Sequence, residues 1–170
     1  MNLPSIRARL QADGTYLGEE PVLGRPTVVG YDKQFRWSWM ATQLNTFVVA
    51  TDLGQDPADV PTLQRHAYES FALAKRHYRG WPRGLQSGLA VVQVLLSRRL
   101  DPAAVAYCRR LEAGKKWAGF VVPVVADPTT GEVHRFERKP MWGRIYFSYF
   151  GELIDALAAE ASVPPPLQTR

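Results

Sequence analysis

Two spacings of apolar positions alternate along this chain, one of period two and one of helical period, and together they predict a sheet covered by helices. In Lys33 to Met40 the aromatics Phe35, Trp37 and Trp39 alternate with Gln34, Arg36 and Ser38, as a half-buried strand requires. Thr27 to Gly30, Gln34 to Thr42 and Leu44 to Thr51 each read as a strand, because each is rich in β-branched or aromatic residues. Phe47-Val48-Val49-Ala50 is continuous and is expected to be more central. Gly88 to Ser97 is too uniformly apolar for an edge and reads as a central strand covered on both faces.

Helical spacing appears between these strands. Asp59 supplies a cap and Pro61 a tolerated first-turn residue. Leu63, Ala67, Phe71, Ala74 and Tyr78 then recur on one side until Gly80. Asp101-Pro102 opens a second helix with Val105, Cys108 and Leu111 inward and Gly114 as its stop. A third begins near Gly143 with Tyr146, Phe150, Leu153, Ile154 and Leu157 as its stripe. A short helix is expected from Pro4 to about Gln11, carrying Ile6 and Leu10, followed by an irregular stretch from Gly18 to Pro26. The last ten residues, ASVPPPLQTR, have three prolines and no apolar pattern, and read as an extended tail.

The order is β-β-β-α-β-α-β-β-α after the short first helix. It predicts an α+β or α/β fold with a mixed, mostly antiparallel sheet and helices on one or both faces. The boundaries drawn are residues 1–25 for the short helix and irregular segment, 26–161 for one globular domain and 162–170 for the tail. No period of repeat length recurs.

Trp117 to Phe150 holds a hairpin with a chemical look. Phe120 to Val125 is a β-branched run, Asp127-Pro128-Thr129-Thr130-Gly131 is a turn, and Val133 to Lys139 is the return. Asp127 followed by Glu137-Arg138-Lys139 has the shape of the D…ExK metal signature of restriction-endonuclease-like nucleases. In a regular hairpin, however, Glu137 stands opposite Val122, and at about 3.3 Å per residue the two carboxylates are roughly 15 Å apart. Ligands of one Mg²⁺ lie about 2 Å from it, so this pair cannot share an ion. Asp127 is then a turn former, with Glu137 and Lys139 on a solvated strand face.

Composition narrows the class. At 170 residues, 46% hydrophobic and 22% charged, the chain has the balance of a globular protein long enough to bury a core without staples. No run of 18 apolar residues spans a membrane, and MNLPSIRARLQADG lacks the apolar core of a secretory signal. A lone cysteine, Cys108, suits a reducing cytoplasm and reads as a small core residue. The net charge of +5 is uneven, since residues 65–116 hold eleven Lys or Arg against three acids. That asymmetry suits a nucleic acid or other polyanion. Sixteen arginines against five lysines, with abundant Ala, Gly and Pro, is also what a GC-rich bacterial genome produces without selection for phosphate.

Catalytic chemistry has little to stand on. His66 and His77 are about 16 Å apart along one helix, and His134 is isolated, so neither a metal site nor a cofactor is expected. Gly84-Leu85-Gln86-Ser87-Gly88 fails as a nucleophile elbow, with serine in the wrong place and a strand after it rather than before. No dinucleotide or nucleoside-triphosphate fingerprint is present. Arg79 to Gly88 and Met141 to Arg144, in contrast, use tryptophan and arginine where plain turns use small polar residues. Trp81, Arg83, Gln86, Trp142 and Arg144 are therefore the candidate binding residues.

The function these readings favour is a cytoplasmic, non-enzymatic module that binds a protein partner, with a homo-oligomer compatible. The alternative is a nucleic-acid or polyanion binder through residues 65–116. An enzyme with a dispersed site, a metal-dependent nuclease included, is a third reading and is disfavoured.

Overall fold

A computed structural model describes residues 1–36, 42–79, 87–111, 119–137 and 144–159. Ten elements follow one another: α1 (Leu3–Ala12), β1 (Tyr16–Glu19), β2 (Thr27–Arg36), β3 (Thr42–Gly54), α2 (Val60–His77), β4 (Ser87–Ser97), α3 (Pro102–Arg110), β5 (Gly119–Ala126), β6 (Val133–His134) and α4 (Arg144–Ala159). The six strands form one sheet in sequence order. β1, β2 and β3 are an antiparallel meander, β3, β4 and β5 run parallel, and β6 returns antiparallel. The α+β fold and mixed sheet expected from the pattern are present.

Parallel neighbours need crossovers, and α2 and α3 supply them. Both helices pack on one face, through Leu63, Phe71, Leu73 and Ala74 of α2 and Ala104, Tyr107 and Cys108 of α3. α1 and α4 cover the other face, where Ile6 and Leu10 meet Phe147, Phe150, Ile154 and Leu157. β4 is covered on both sides, Leu89, Val91 and Leu95 facing α2 and α3 and Ala90, Val92, Val94 and Leu96 facing α1 and α4. Its unbroken apolar run is the signature of that position.

Helix boundaries follow their caps. Asp59 accepts a bond from the Thr62 N–H and Asp101 from Ala103, so α2 and α3 begin where the acids predict. α3 ends at Leu111, which adopts the left-handed conformation itself at φ 54°, before the expected Gly114, which lies outside the described residues. α4 buries Phe147, Tyr149, Phe150, Ile154 and Leu157, while Tyr146 and Leu153 are only partly covered. The buried stripe is thus turned slightly from the expected one.

Three strand expectations are corrected. The break expected between Gly30 and Gln34 does not occur, because Tyr31, Asp32 and Lys33 pair with Phe47, Thr46 and Asn45. Tyr31 lies against Phe47 at 4.7 Å between ring centroids, so the polar neighbours stay in register. The stretch from Gly18, expected to be irregular, begins inside a four-residue strand, β1. β6, expected to reach Lys139, ends at His134. Phe136 turns into the core, edge-on to Phe147 at 5.0 Å, and Arg135 bonds Asp155 of α4. The Glu137 N–H then donates to the Arg109 carbonyl at the end of α3. Residues 135–137 therefore wrap the sheet edge from one helical layer to the other instead of extending the hairpin. Residues 37–41 and 138–139, within the two expected strands, lie outside the described residues. No described helix is long and apolar enough to cross a membrane.

Candidate functional site

Trp81, Arg83, Gln86 and Trp142 lie outside the described residues, and Arg144 is the first residue of α4. The described residues bordering them share one end of the sheet. Ser87 pairs with Gln43 near the start of β3, and Gly119 pairs with Leu89 near the start of β4. In the first turn of α4, Tyr146 and Phe147 rest on Phe120 at 6.4 and 6.2 Å. Both bordering points are therefore at the end where β3, β4 and β5 begin.

The opposite end is the usual ligand site of parallel sheets, at a point where the strand order reverses. Here the order β3, β4, β5 never reverses and both crossovers use one face. The loops at those strand ends are also tied together. The Ala58 N–H donates to the Arg99 carbonyl at 2.9 Å, the Asp101 N–H to the Ala58 carbonyl at 3.2 Å, and the Ser97 hydroxyl to the Asp56 carbonyl at 2.7 Å. These bonds join the loop after β3 to the loop after β4.

The hairpin acid serves its own turn. Asp127 accepts bonds from the Thr129 and Thr130 N–H groups, and the first of these holds its carboxyl below the usual carboxylate range. Glu137 is solvated as expected, but it lies past the end of β6 and pairs with the Arg109 guanidinium of α3 at 3.1 Å. Lys139 lies outside the described residues. No described group of three His, Cys, Asp or Glu side chains is placed to hold a metal. Cys108 is fully buried and its thiol is pushed up to about 12 by burial, so it is a core residue rather than a nucleophile.

The basic middle region is less isolated than its sequence suggests. Arg76 and His77 both reach Glu20, and Arg109 reaches Glu137, so acids from outside residues 65–116 answer part of its charge. Arg98 and Arg99 remain exposed beside the β4 end.

Two features escaped the sequence pattern. Val22 and Arg25 exchange backbone bonds at 3.2 and 3.0 Å across a two-residue turn whose central residues, Leu23 and Gly24, have φ 52° and 73°. Positive φ at both positions defines a type I′ hairpin, where Asn and Gly are the comfortable residues. Leu23 is nevertheless there, and 51% exposed. Tyr68 of α2, 64% exposed, lines a shallow groove with Leu23, Gln64, Arg65 and Glu69. Leu23 and Arg65 also border a cleft of about 670 Å³ that reaches His66. The Leu-Gly pair between Pro21 and Pro26 was the available signal for this turn.

His66 of that cleft is one of three buried polar side chains that also escaped the pattern. His66, Ser70 and Gln93 are 4%, 1% and 1% exposed, and the His66 Nδ1, the Ser70 hydroxyl and the Gln93 Oε1 have no partner. Burial, then the nearby Arg65 and Arg25, pushes the His66 imidazolium to titrate lower than an ordinary histidine. His66 and Ser70 fall on the inward side of α2, where their polar side chains do not register in an apolar stripe. Comparison with protein-family models, curated proteins and solved structures finds no match to this chain.

Proposed function

We propose that this chain is a non-enzymatic protein-interaction module and that its partner docks on the Leu23 turn and the neighbouring face of α2. The carrying observation is Leu23. A β-carbon in the left-handed region costs roughly 1–2 kcal/mol, and Gly or Asn would remove most of that. Leucine instead presents apolar surface to solvent beside Tyr68, with Arg65 at the rim. Tyrosine and arginine are the side chains over-represented where interfaces hold most of their energy. Strain kept at an exposed apolar tip is what a binding surface, and not folding, accounts for.

The test is site-specific photocrosslinking from position 68 in cells that make the protein. The reading expects a discrete crosslinked partner that disappears on Leu23→Asn, while the melting temperature of that variant is unchanged or higher. Crosslinks that persist in Leu23→Asn, or that appear equally from a control position such as Arg98, would refute it. The polyanion reading draws support from exposed Arg98 and Arg99, and predicts a slope of log K against log salt near −5 if about six phosphates are neutralised. Partner binding through the Leu23 surface predicts a much weaker salt dependence.

A further inference from the structure

We infer that the partner on the Leu23 surface is a second copy of this chain, docked about a two-fold axis near Tyr68 so that α2 lies antiparallel to α2 of the other copy. The inference rests on the reading of that surface as a docking site and names what docks there. Its basis is that the surface complements itself.

The outward stripe of α2 runs through Pro61, Gln64, Arg65, Tyr68 and Lys75, all exposed, with Tyr68 at its middle. The groove beside it is lined by Leu23, Gln64, Arg65, Tyr68 and Glu69, so an apolar tip and an aromatic ring are flanked by one cation and one anion. Arg65 and Glu69 are one turn apart, a spacing at which opposite charges can pair along a helix. On α1 the same spacing does close, Arg9 to Asp13 at 2.7 Å. On α2 it does not. Among the described residues the Arg65 guanidinium donates only to the Thr62 hydroxyl, at 3.4 Å, and Glu69 joins no ion pair. Both charges are therefore open to a partner.

A two-fold axis makes use of their order. Read along α2 the order is cation, tyrosine, anion; read backwards it is anion, tyrosine, cation. An antiparallel copy centred near Tyr68 therefore sets each Arg65 beside Glu69 of the other copy, with both Tyr68 rings at the centre and both Leu23 tips against them. One axis yields two ion pairs. This is the isologous contact of a cyclic dimer, in which a single patch serves as both surfaces.

Charge also favours this place over the rest of the chain. Residues 65–116 hold eleven Lys or Arg against three acids, and contacts between copies through that region at large bring like charges together. The residues lining the Leu23 groove include one Arg and one Glu, so two copies meet there without that repulsion. A different protein would have to supply acid, apolar contact and base in matching order, which the chain itself already does. The contact is one helix face and one turn per copy, at the small end of interfaces, so a dissociation constant in the micromolar range is expected.

The experiment is sedimentation velocity of the full chain from micromolar to millimolar concentration. A monomer–dimer equilibrium is expected, weakened about tenfold or more by Leu23→Asn and by each charge reversal, Arg65→Glu and Glu69→Arg. Mixing the two reversed variants should restore the dimer, because Arg65→Glu carries acid at both positions and Glu69→Arg carries base at both. Damage to the fold would not be repaired by mixing. If either single variant fails to fold, the doubly reversed chain decides, since it keeps the complementarity and should dimerise as the wild type does. A chain that stays monomeric throughout, a dimer unmoved by Leu23→Asn, or reversed charges that are not rescued overturns the inference. If the position 68 crosslink then joins a different protein and still disappears in Leu23→Asn, the docking reading stands without it; a crosslink indifferent to Leu23 removes both.

Discussion

Gln93→Met should make this protein more stable, although it deletes a hydrogen bond. Gln93 lies in the middle of β4, opposite Val49 and Pro123, and is 1% exposed. Its amide donates to the Leu63 carbonyl of α2 at 3.1 Å, while its Oε1 has no partner. Losing the bond costs about 1 kcal/mol, and the Leu63 carbonyl keeps its place in the helix ladder. Removing a desolvated acceptor returns about 1–3 kcal/mol, and methionine matches glutamine in length and volume, so repacking adds little. The net expectation is a gain of roughly 1 kcal/mol. Urea denaturation of both proteins at equal m-value measures it. A loss of more than about 1 kcal/mol would refute the reasoning. It would mean that Oε1 is bonded after all, through a buried water.

Two further predictions use the titrating groups. Cys108, with its thiol near 12 against a reference of 9.0, should carry roughly a thousandth of the ordinary thiolate fraction. Iodoacetamide at pH 8, followed by mass spectrometry, should label the native chain at least about a hundredfold more slowly than the urea-unfolded chain, and rates within tenfold would contradict the burial. His66 gives a pH dependence of definite sign. Its charged form is disfavoured in the fold, so below its unfolded pKa of about 6.5 the unfolded chain binds more protons and stability falls with acidification. His66→Gln should flatten the stability profile between pH 7 and 5. Glu20, held below its ordinary carboxylate range first by its bond to His77, loses its contribution only at more acid pH and does not blur that window. An unchanged slope in His66→Gln would show that burial is not what sets it.

What the pattern of residues revealed depended on how local the cause was. Caps at Asp59 and Asp101, the Asp127 turn and the doubly covered β4 each follow from a few adjacent residues, and each was legible. The continuation of β2 through Asp32 was not, because a polar residue in a strand reads as a break unless its partners are known. Those partners, Tyr149 and Thr46, are 117 and 14 residues away. The early end of β6 has the same origin: Phe136, Arg135 and Glu137 each answer a different element, and no spacing along the hairpin encodes that. Trp81, Arg83, Gln86 and Trp142 stand out by composition, whereas the meaning of Leu23 lies in a backbone angle. A leucine before a glycine carries no warning until both φ values are positive.

The α2 face and the α1–α4 face are separated by the sheet itself, and that makes them separately testable. β2 begins at Thr27, two residues after the Leu23 turn closes, and reaches Asp32 five residues later, about 17 Å along the strand. Leu23 and Tyr68 belong with the α2 face, whereas Asp32, Thr46 and Tyr149 belong with the α1 and α4 face. No described side chain links the Leu23 groove to Asp32, and substitutions at such separation add without interacting. Asp32→Asn should therefore leave the position 68 crosslink unchanged. Coupling between the two faces would have to pass through β2 and β3, whose paired ladder from Thr27 to Arg36 is continuous and has no second register to adopt. If Asp32→Asn altered that crosslink, the rigid ladder would be the wrong picture of this sheet.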